Sequence, residues 1–257
     1  MVALDEWSER LYRARLDRKP IAALTEVDPT LTVADAYQIQ SGLVERLCSD
    51  GSTIVGYKLG LTSRAMQQMI GVDQPDFGAV LSSGVYSDGS DIALDQFIQP
   101  KVEAEIGLVL DRPLAGPGVT REQAVSAVGA AVAAIEMVDS RIMDWRINLV
   151  DTVADLASSA AIILGTERAP MDADLRLIGM VVSRNGELEA TGAGAAALGD
   201  PVGAVAWLAN VLAEYDVVLE PGQVVMTGAL HRAFEVEPGD QVVAEFDRIG
   251  SVTAQFC

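Results

Sequence analysis

Two carboxylates separated by one residue, Glu103-Ala104-Glu105, lie in a segment that alternates cleanly from Lys101 to Leu110. Residues two apart in a strand point the same way, with Cα atoms about 6.5–7 Å apart. Both carboxylates can therefore reach one ion. Without a cation they repel, and one of them has to hold a proton. The ordinary fate of such a pair is a solvated strand face. A third carboxylate shifts the balance. Glu136 sits in Ala134-Ile135-Glu136-Met137-Val138, where a solvated face is hard to arrange. A carboxylate among apolar neighbours needs a partner. Arg141 is one candidate, and a metal shared with Glu103 and Glu105 is the other. Three carboxylates and a few waters suit Mg2+ or Mn2+.

Lys58 is flanked by glycines in Val55-Gly56-Tyr57-Lys58-Leu59-Gly60-Leu61. Buried there, it could bind a carboxylate or transfer a proton. At a strand edge it would keep its head in water. Asp76 lies in the loop Asp73-Gln74-Pro75-Asp76-Phe77-Gly78 and is a candidate acid or base. Arg141 could pair with a ligand Glu or with substrate. Thr227, before Gly228, could offer a hydroxyl and backbone N–H to an anion. The single histidine, His231, reads as a surface or loop residue. With one histidine and no clustered cysteines, zinc chemistry and Ser-His-Asp hydrolysis are not expected.

The elements that must position these groups start with helices. Leu4, Trp7, Leu11 and Leu16 form a helical stripe. A second helix runs from Val33 to Cys48, capped by Thr32 with Asp35 at the third position. The arm ends at Ser49-Asp50-Gly51, giving a helical region over 1–52 and a second region over 53–257. There, Thr53–Leu61 reads as a strand, Ser63–Ile70 as a short helix, and residues 79–86 as a strand. Lys101–Leu110 is a strand. Thr120 opens a helix of alanines and valines that ends in a strand over Ala134–Val138. Asn185-Gly186 joins Leu175–Arg184 and Glu187–Thr191 in a hairpin. Asp200 caps a helix from Pro201 to Tyr215. Strands follow at 223–227, 233–236, 241–247 and 251–256. The order is not a repeated βαβ, so the fold class is α+β, with a mixed, mainly antiparallel sheet. Gly192–Ala197 lacks the spacing and the βαβ frame of a dinucleotide loop.

The chain has 257 residues, 37 acidic and 18 basic, for a net charge of −19. Nucleic acid and anionic membranes are not expected partners. Cys48 and Cys257 are its two cysteines and suggest no disulfide framework. No secretory signal and no membrane span with interfacial anchors are read, so a cytoplasmic location is expected.

Taken together, Gly56–Ser63 (GYKLGLTS), Gly71–Gly78 (GVDQPDFG), Gln99–Leu110 (QPKVEAEIGLVL), Ala134–Asp155 (AIEMVDSRIMDWRINLVDTVAD) and Val224–Leu230 (VVMTGAL) carry a resemblance. The chain resembles the fumarylacetoacetate hydrolase superfamily, in the branch of 2-hydroxypenta-2,4-dienoate hydratases and 4-oxalocrotonate decarboxylases. The resemblance implies a mixed β roll with an N-terminal helical part, assembled as a homo-oligomer. It implies Glu103, Glu105 and Glu136 as ligands of Mg2+ or Mn2+, and Lys58 and Asp76 as catalytic groups. It places Arg141, Asp155, Ser158 and Thr227 at a small anionic 2-hydroxydienoate or 2-oxo acid. The activity implied is hydration of a 2-hydroxy-2,4-dienoate in meta-cleavage degradation of aromatic or steroid rings. Gln99, where decarboxylases often carry histidine, favours the hydratase. The alternatives are 4-oxalocrotonate decarboxylation and a non-catalytic partner in complex with a pathway enzyme. Leu156 departs from the amide common at that position in related chains. No histidine precedes the metal strand, so C–C bond hydrolysis is not expected.

Overall fold

The computed structural model describes residues 2–63, 67–68 and 71–257. The N-terminal arm contains α1 (Leu4–Asp17), α2 (Leu24–Val27) and α3 (Val33–Ser49). The capping box of α3 forms as the sequence implies: Asp35 N–H donates to Thr32 Oγ1 at 3.2 Å, and Thr32 N–H to Asp35 Oδ2 at 2.8 Å. The helix expected over 63–70 falls mostly outside the described residues, although Gln67 and Gln68 are helical.

Thirteen strands build two sheets among the described residues. In order, they are β1 (Ile54–Gly60), β2 (Asp76–Leu81), β3 (Val85–Ser87), β4 (Ser90–Ile92), β5 (Lys101–Leu110), β6 (Val128–Val138), β7 (Ser159–Leu164), β8 (Gly179–Arg184), β9 (Glu187–Ala193), β10 (Val224–Met226), β11 (Phe234–Glu235), β12 (Gln241–Phe246) and β13 (Gly250–Phe256). The larger sheet has the order β2-β1-β10-β5-β6-β7-β3, with β11 also on β5. The smaller has the order β4-β13-β12-β8-β9. Only the pairs β1/β10, β3/β7 and β4/β13 are parallel. The α+β reading, mixed and mainly antiparallel, matches this topology.

Three further helices interrupt the strands: α4 (Arg121–Ala127), α5 (Leu149–Ala154) and α6 (Pro201–Leu212). The helix opened by Thr120 stops at Ala127, earlier than its sequence suggests. From Val128 the alanine- and valine-rich chain is a strand paired along β5, from Leu110↔Val128 to Lys101↔Val138. Periodicity cannot separate a fully buried strand from a buried helix, and here the open edge of β5 decides. Residues 79–86 do not form one strand either. β2 ends at Leu81, a 3-10 turn covers Ser82–Gly84, and β3 departs to pair with β7. Asp76 and Phe77, expected in a loop, open β2 because they pair with Gly60 and Leu59.

The main core fills the space between the two sheets and under α6, with Ile106, Leu108, Ile135 and Met137 meeting Val242, Ala244 and Val252. Residues 194–215 are long and apolar enough, by composition, to cross a membrane, but half of that window is buried. There α6 lays Val202, Val205, Leu208 and Leu212 into the core. On the opposite face the larger sheet curls, so Val80 of β2 shares a cluster with Ile162 of β7 and Met226 of β10. This inner face of the roll carries Glu103, Glu105 and Glu136.

The helical arm has its own apolar cluster, in which Trp7, Leu11, Leu24, Ile39 and Leu43 pack with Leu81, Val153 and Leu156. Asp151 of α5 accepts from Thr25 N–H at 3.0 Å and Thr25 Oγ1 at 2.7 Å, tying the arm down. Trp7 is buried, and its indole N–H has no hydrogen-bond partner. Trp7→Ala is therefore expected to lower stability by about 3–5 kcal/mol. Trp7→Phe should cost much less, because it also removes an unsatisfied donor. Urea unfolding of the two variants measures the difference.

Candidate active site and metal centre

Glu103 and Glu136 are direct cross-strand partners on β5 and β6, and Glu105 follows two residues along β5. Strand alternation puts all three on one face. Each offers an oxygen within 4.8 Å of the others. Glu105 and Glu136 are fully buried, whereas Glu103 keeps an edge to solvent. Glu105 Oε2 accepts from Gly228 N–H at 2.9 Å. Its Oε1 and both oxygens of Glu136 have no hydrogen-bond partner.

Lys58 supplies a counter-charge. Its Nζ lies 3.4 Å from Glu136 Oε2 and donates to the carbonyl oxygen of Ala157 at 2.9 Å. Burial opposes the ammonium charge, but Glu136, Asp76, Glu103 and Glu105 outweigh it and lift the pKa of Lys58. One lysine cannot neutralise the three glutamates. Burial raises Glu105 well above the usual carboxylate range, and Glu136 and Glu103 raise it further. Glu136 also rises through burial, against the pull of Lys58. Glu103 is pushed up to about 7 by burial and by Glu136. Orphaned buried oxygens and surplus negative charge fit a hard divalent cation bound through oxygen.

Asp76 is buried on β2 opposite Gly60. A Cβ at Gly60 would lie 2.1 Å from Asp76 Oδ1, so glycine makes room for this carboxyl. Burial raises its pKa against the attraction of Lys58. Gly78 lets β2 touch the next element: its Cβ would meet Leu156 O at 2.0 Å. That element is a turn in which Leu156, Ala157 and Ser158 are all left-handed, with φ of 59°, 49° and 59°. Each non-glycine residue there costs about 1–2 kcal/mol. Such strain persists only where its surroundings over-determine it. Leu156 is buried in the arm's cluster, so it anchors the turn with its side chain packed on the arm.

The four residues expected to bind substrate are placed differently. Arg141 and Asp155 form a fully buried pair. Arg141 N–H donates to Asp155 Oδ2 at 2.8 Å, and its guanidinium contacts Asp155 Oδ1, Asp155 O and Ser159 O. Burial lifts Asp155 to about 6 against the pull of Arg141. Their charges answer one another, and this pairing takes Arg141 away from Glu136, whose partner is Lys58. Thr227 Oγ1 donates to Ile106 O at 2.9 Å, and the adjacent Gly228 amide is the donor that reaches Glu105. Ser158 Oγ lies 3.1 Å from Thr152 Oγ1, in the turn that receives Lys58. Gln99 donates to Ser140 O and Ile142 O at 2.9 and 2.6 Å. His231 Nε2 accepts from Ala104 N–H at 2.8 Å and its Nδ1 lies 2.7 Å from Arg232 O, a structural tie.

Sequence reasoning missed the Ala157 carbonyl and Gln40. Backbone groups carry no residue-type signal, and Gln40 looks like any polar residue on an amphipathic helix.

Sheet order, inward carboxylates and a buried lysine define a curled mixed sheet with a carboxylate cluster that could hold a metal ion. The pattern of the family described as Fumarylacetoacetate (FAA) hydrolase C-terminal matches residues 54–257, and the chain belongs to that family. It is 46% identical over 253 residues to a 2-keto-4-pentenoate hydratase of Paraburkholderia xenovorans (strain LB400), spanning 98% of this chain and 94% of the relative. It is 39% identical over 250 residues to a 4-oxalocrotonate decarboxylase of Pseudomonas putida, spanning 97% and 95%. Among solved structures it is similar to 4-oxalocrotonate decarboxylase from Pseudomonas putida G7, complexed with magnesium and adipate, at a TM-score of 0.96 and 36% identity, covering 100% and 99% of the two chains.

The raised carboxylate pKa values set two signs. Protons compete with a cation for the site, so the affinity for Mn2+ in calorimetry should fall about tenfold per pH unit below about 7. In metal-free protein, Glu103 binds its proton more tightly folded than unfolded. Its contribution to stability is full below the unfolded value near 4.5 and is lost as pH rises through about 7. Thermal melts in EDTA should therefore drop across that window, and Mn2+ at pH 8 should restore them.

Proposed function

We propose that this protein is a metal-dependent hydratase that adds water to a 2-hydroxy-2,4-dienoate and yields a 4-hydroxy-2-oxo acid. The observation that carries the reading is the cluster of Glu103 with the buried Glu105 and Glu136, with Lys58 3.4 Å from Glu136. Its support from relatives is the 46% identity to a 2-keto-4-pentenoate hydratase over nearly the whole chain.

Glu103, Glu105 and Glu136 would hold Mg2+ or Mn2+. Bound there, the cation supplies Lewis acidity toward the 2-oxygen and carboxylate of the substrate. Lys58 and Asp76 handle protons. The overall balance is simple. The enol proton leaves the 2-oxygen, a proton enters at the far carbon of the diene, and a 2-oxo-3-enoate results. Water then adds its oxygen at C4, with a proton delivered at C3. Asp76, whose pKa burial raises, is placed to carry a proton. Lys58, held cationic by its carboxylates, stabilises negative charge and orients water. Each such group contributes about 10²–10⁴-fold. Arg141 and Asp155 brace the turn, with Ser158 and Thr227 close to the cluster through Ala157 and Gly228. The helical region 1–52 serves the catalytic region 53–257 as a scaffold. The working form is a cytoplasmic homo-oligomer acting in meta-cleavage degradation.

A second reading is decarboxylation of a 2-oxo-3-enedioate, favoured by the 0.96 TM-score to a decarboxylase. The test adds protein to 2-hydroxypenta-2,4-dienoate with Mg2+ or Mn2+ and follows loss of diene absorbance. Gain of one water by mass, abolished by EDTA, is the expected result. Release of CO2 from 4-oxalocrotonate without dienoate hydration would favour the second reading. Glu105→Gln should abolish metal-dependent turnover in a folded protein. Lys58→Met should lower kcat by about 10²-fold or more.

A further inference from the structure

Gln40, a buried amide on α3, reaches both backbone segments that present the proton-handling groups. It is 5% exposed. Its Nε2 donates to Phe77 O at 3.1 Å and to Val153 O at 2.6 Å. Both hydrogens of one nitrogen are thereby used. Phe77 directly follows Asp76 on β2. Val153 lies in α5, two residues before Asp155 and four before Ala157, whose carbonyl accepts from Lys58. Tyr37, one helical turn earlier, stacks on the Phe77 ring with centroids 4.5 Å apart and planes at 18°. Residues three apart share a helix face, so α3 grips Phe77 by its ring and by its carbonyl.

Without Gln40, two buried carbonyls would lose a donor, and no covalent link holds β2 to the end of α5. The three left-handed residues that follow α5 relax readily unless their flanks are fixed. Lys58 and Asp76 bear on one site from β1 and β2, and Lys58 is also anchored on the turn. β1 and β2 pair directly, so what Gln40 adds is the position, relative to β2, of the turn that holds the Lys58 Nζ.

We propose that Gln40 is a positioning residue, which locks the strand bearing Asp76 to the turn that receives Lys58 and so sets the proton-transfer geometry from outside the catalytic roll. Gln40 itself touches none of the carboxylates. The inference rests on the roles given to Lys58 and Asp76 in the hydratase reading.

The test compares full-length wild type with Gln40→Met, which keeps length and loses both donors, and Gln40→Asn, which keeps the amide one methylene short. Four readouts apply: Mn2+ affinity by calorimetry, steady-state kinetics on 2-hydroxypenta-2,4-dienoate, the pH profile of kcat, and amide hydrogen exchange by mass spectrometry. Misplacement of reacting groups by about 1 Å can cost on the order of 10²-fold. Accordingly, Gln40→Met should lower kcat by about 10- to 100-fold, with KM and Mn2+ affinity within about threefold. Its pH profile should shift. Exchange should accelerate in residues 76–79 and 153–159 and stay unchanged in α1. Gln40→Asn should fall between. Unchanged kcat and unchanged local exchange in a folded Gln40→Met would overturn the inference. So would faster exchange spread evenly through the arm with kcat intact, the mark of a purely stabilising residue. If Gln40→Met does not fold, Gln40→Asn is judged by the same criteria. If wild type fails to hydrate the dienoate, the hydratase reading falls, and the exchange pattern alone decides whether Gln40 holds the two segments.

Discussion

Three carboxylates gathered on one face of a sheet, two of them fully buried, with one lysine to answer them, are the constraint on which the architecture turns. Bringing Glu105 and Glu136 out of water is costly unless a cation meets them. The ion pair from Lys58 to Glu136 answers part of that charge. The orphaned oxygens of Glu105 and Glu136 show where the rest must be met. Carboxylates this close repel one another unless a cation or a proton answers them. The fold must therefore be rigid enough to hold like charges together before the cation arrives.

Rigidity comes from two directions. Within the roll, β5 is flanked along its length by β6 and, in separate parts, by β10 and β11. Its two glutamates have little freedom to separate. From outside, the helical arm packs on α5 and on Leu156. The arm thereby props a turn whose three left-handed residues would not hold that shape alone. The Arg141–Asp155 pair serves the same end. It is buried, mutually satisfied and adjacent to the turn, so it braces the turn's entry.

Glycine at two positions lets these parts meet. Gly60 leaves space for the Asp76 carboxyl, and Gly78 lets β2 lie against Leu156 O. Both are close approaches of backbone or carboxyl to a strand where any side chain would collide. Lys58, Asp76 and the strained turn are thus brought together by omission of atoms as much as by attraction.

The local facts are legible in the residues alone. Strand alternation put Glu103 and Glu105 on one side, the apolar setting of Glu136 demanded a partner, and the capping boxes at Thr32 and Thr120 marked helix starts that the structure keeps. The α+β class followed from element order. The assembled fold settled what local pattern cannot contain. The chain from Val128 became strand because the β5 edge was free to pair with it. Asp76 left its loop because β1 supplied a partner strand. Arg141 found Asp155, and Lys58 found Glu136, because pairing across many residues is settled by which surfaces meet. Spacing fixes neighbours along one element, whereas charge pairing and backbone donors depend on contacts between elements that fold together only once the cores have closed.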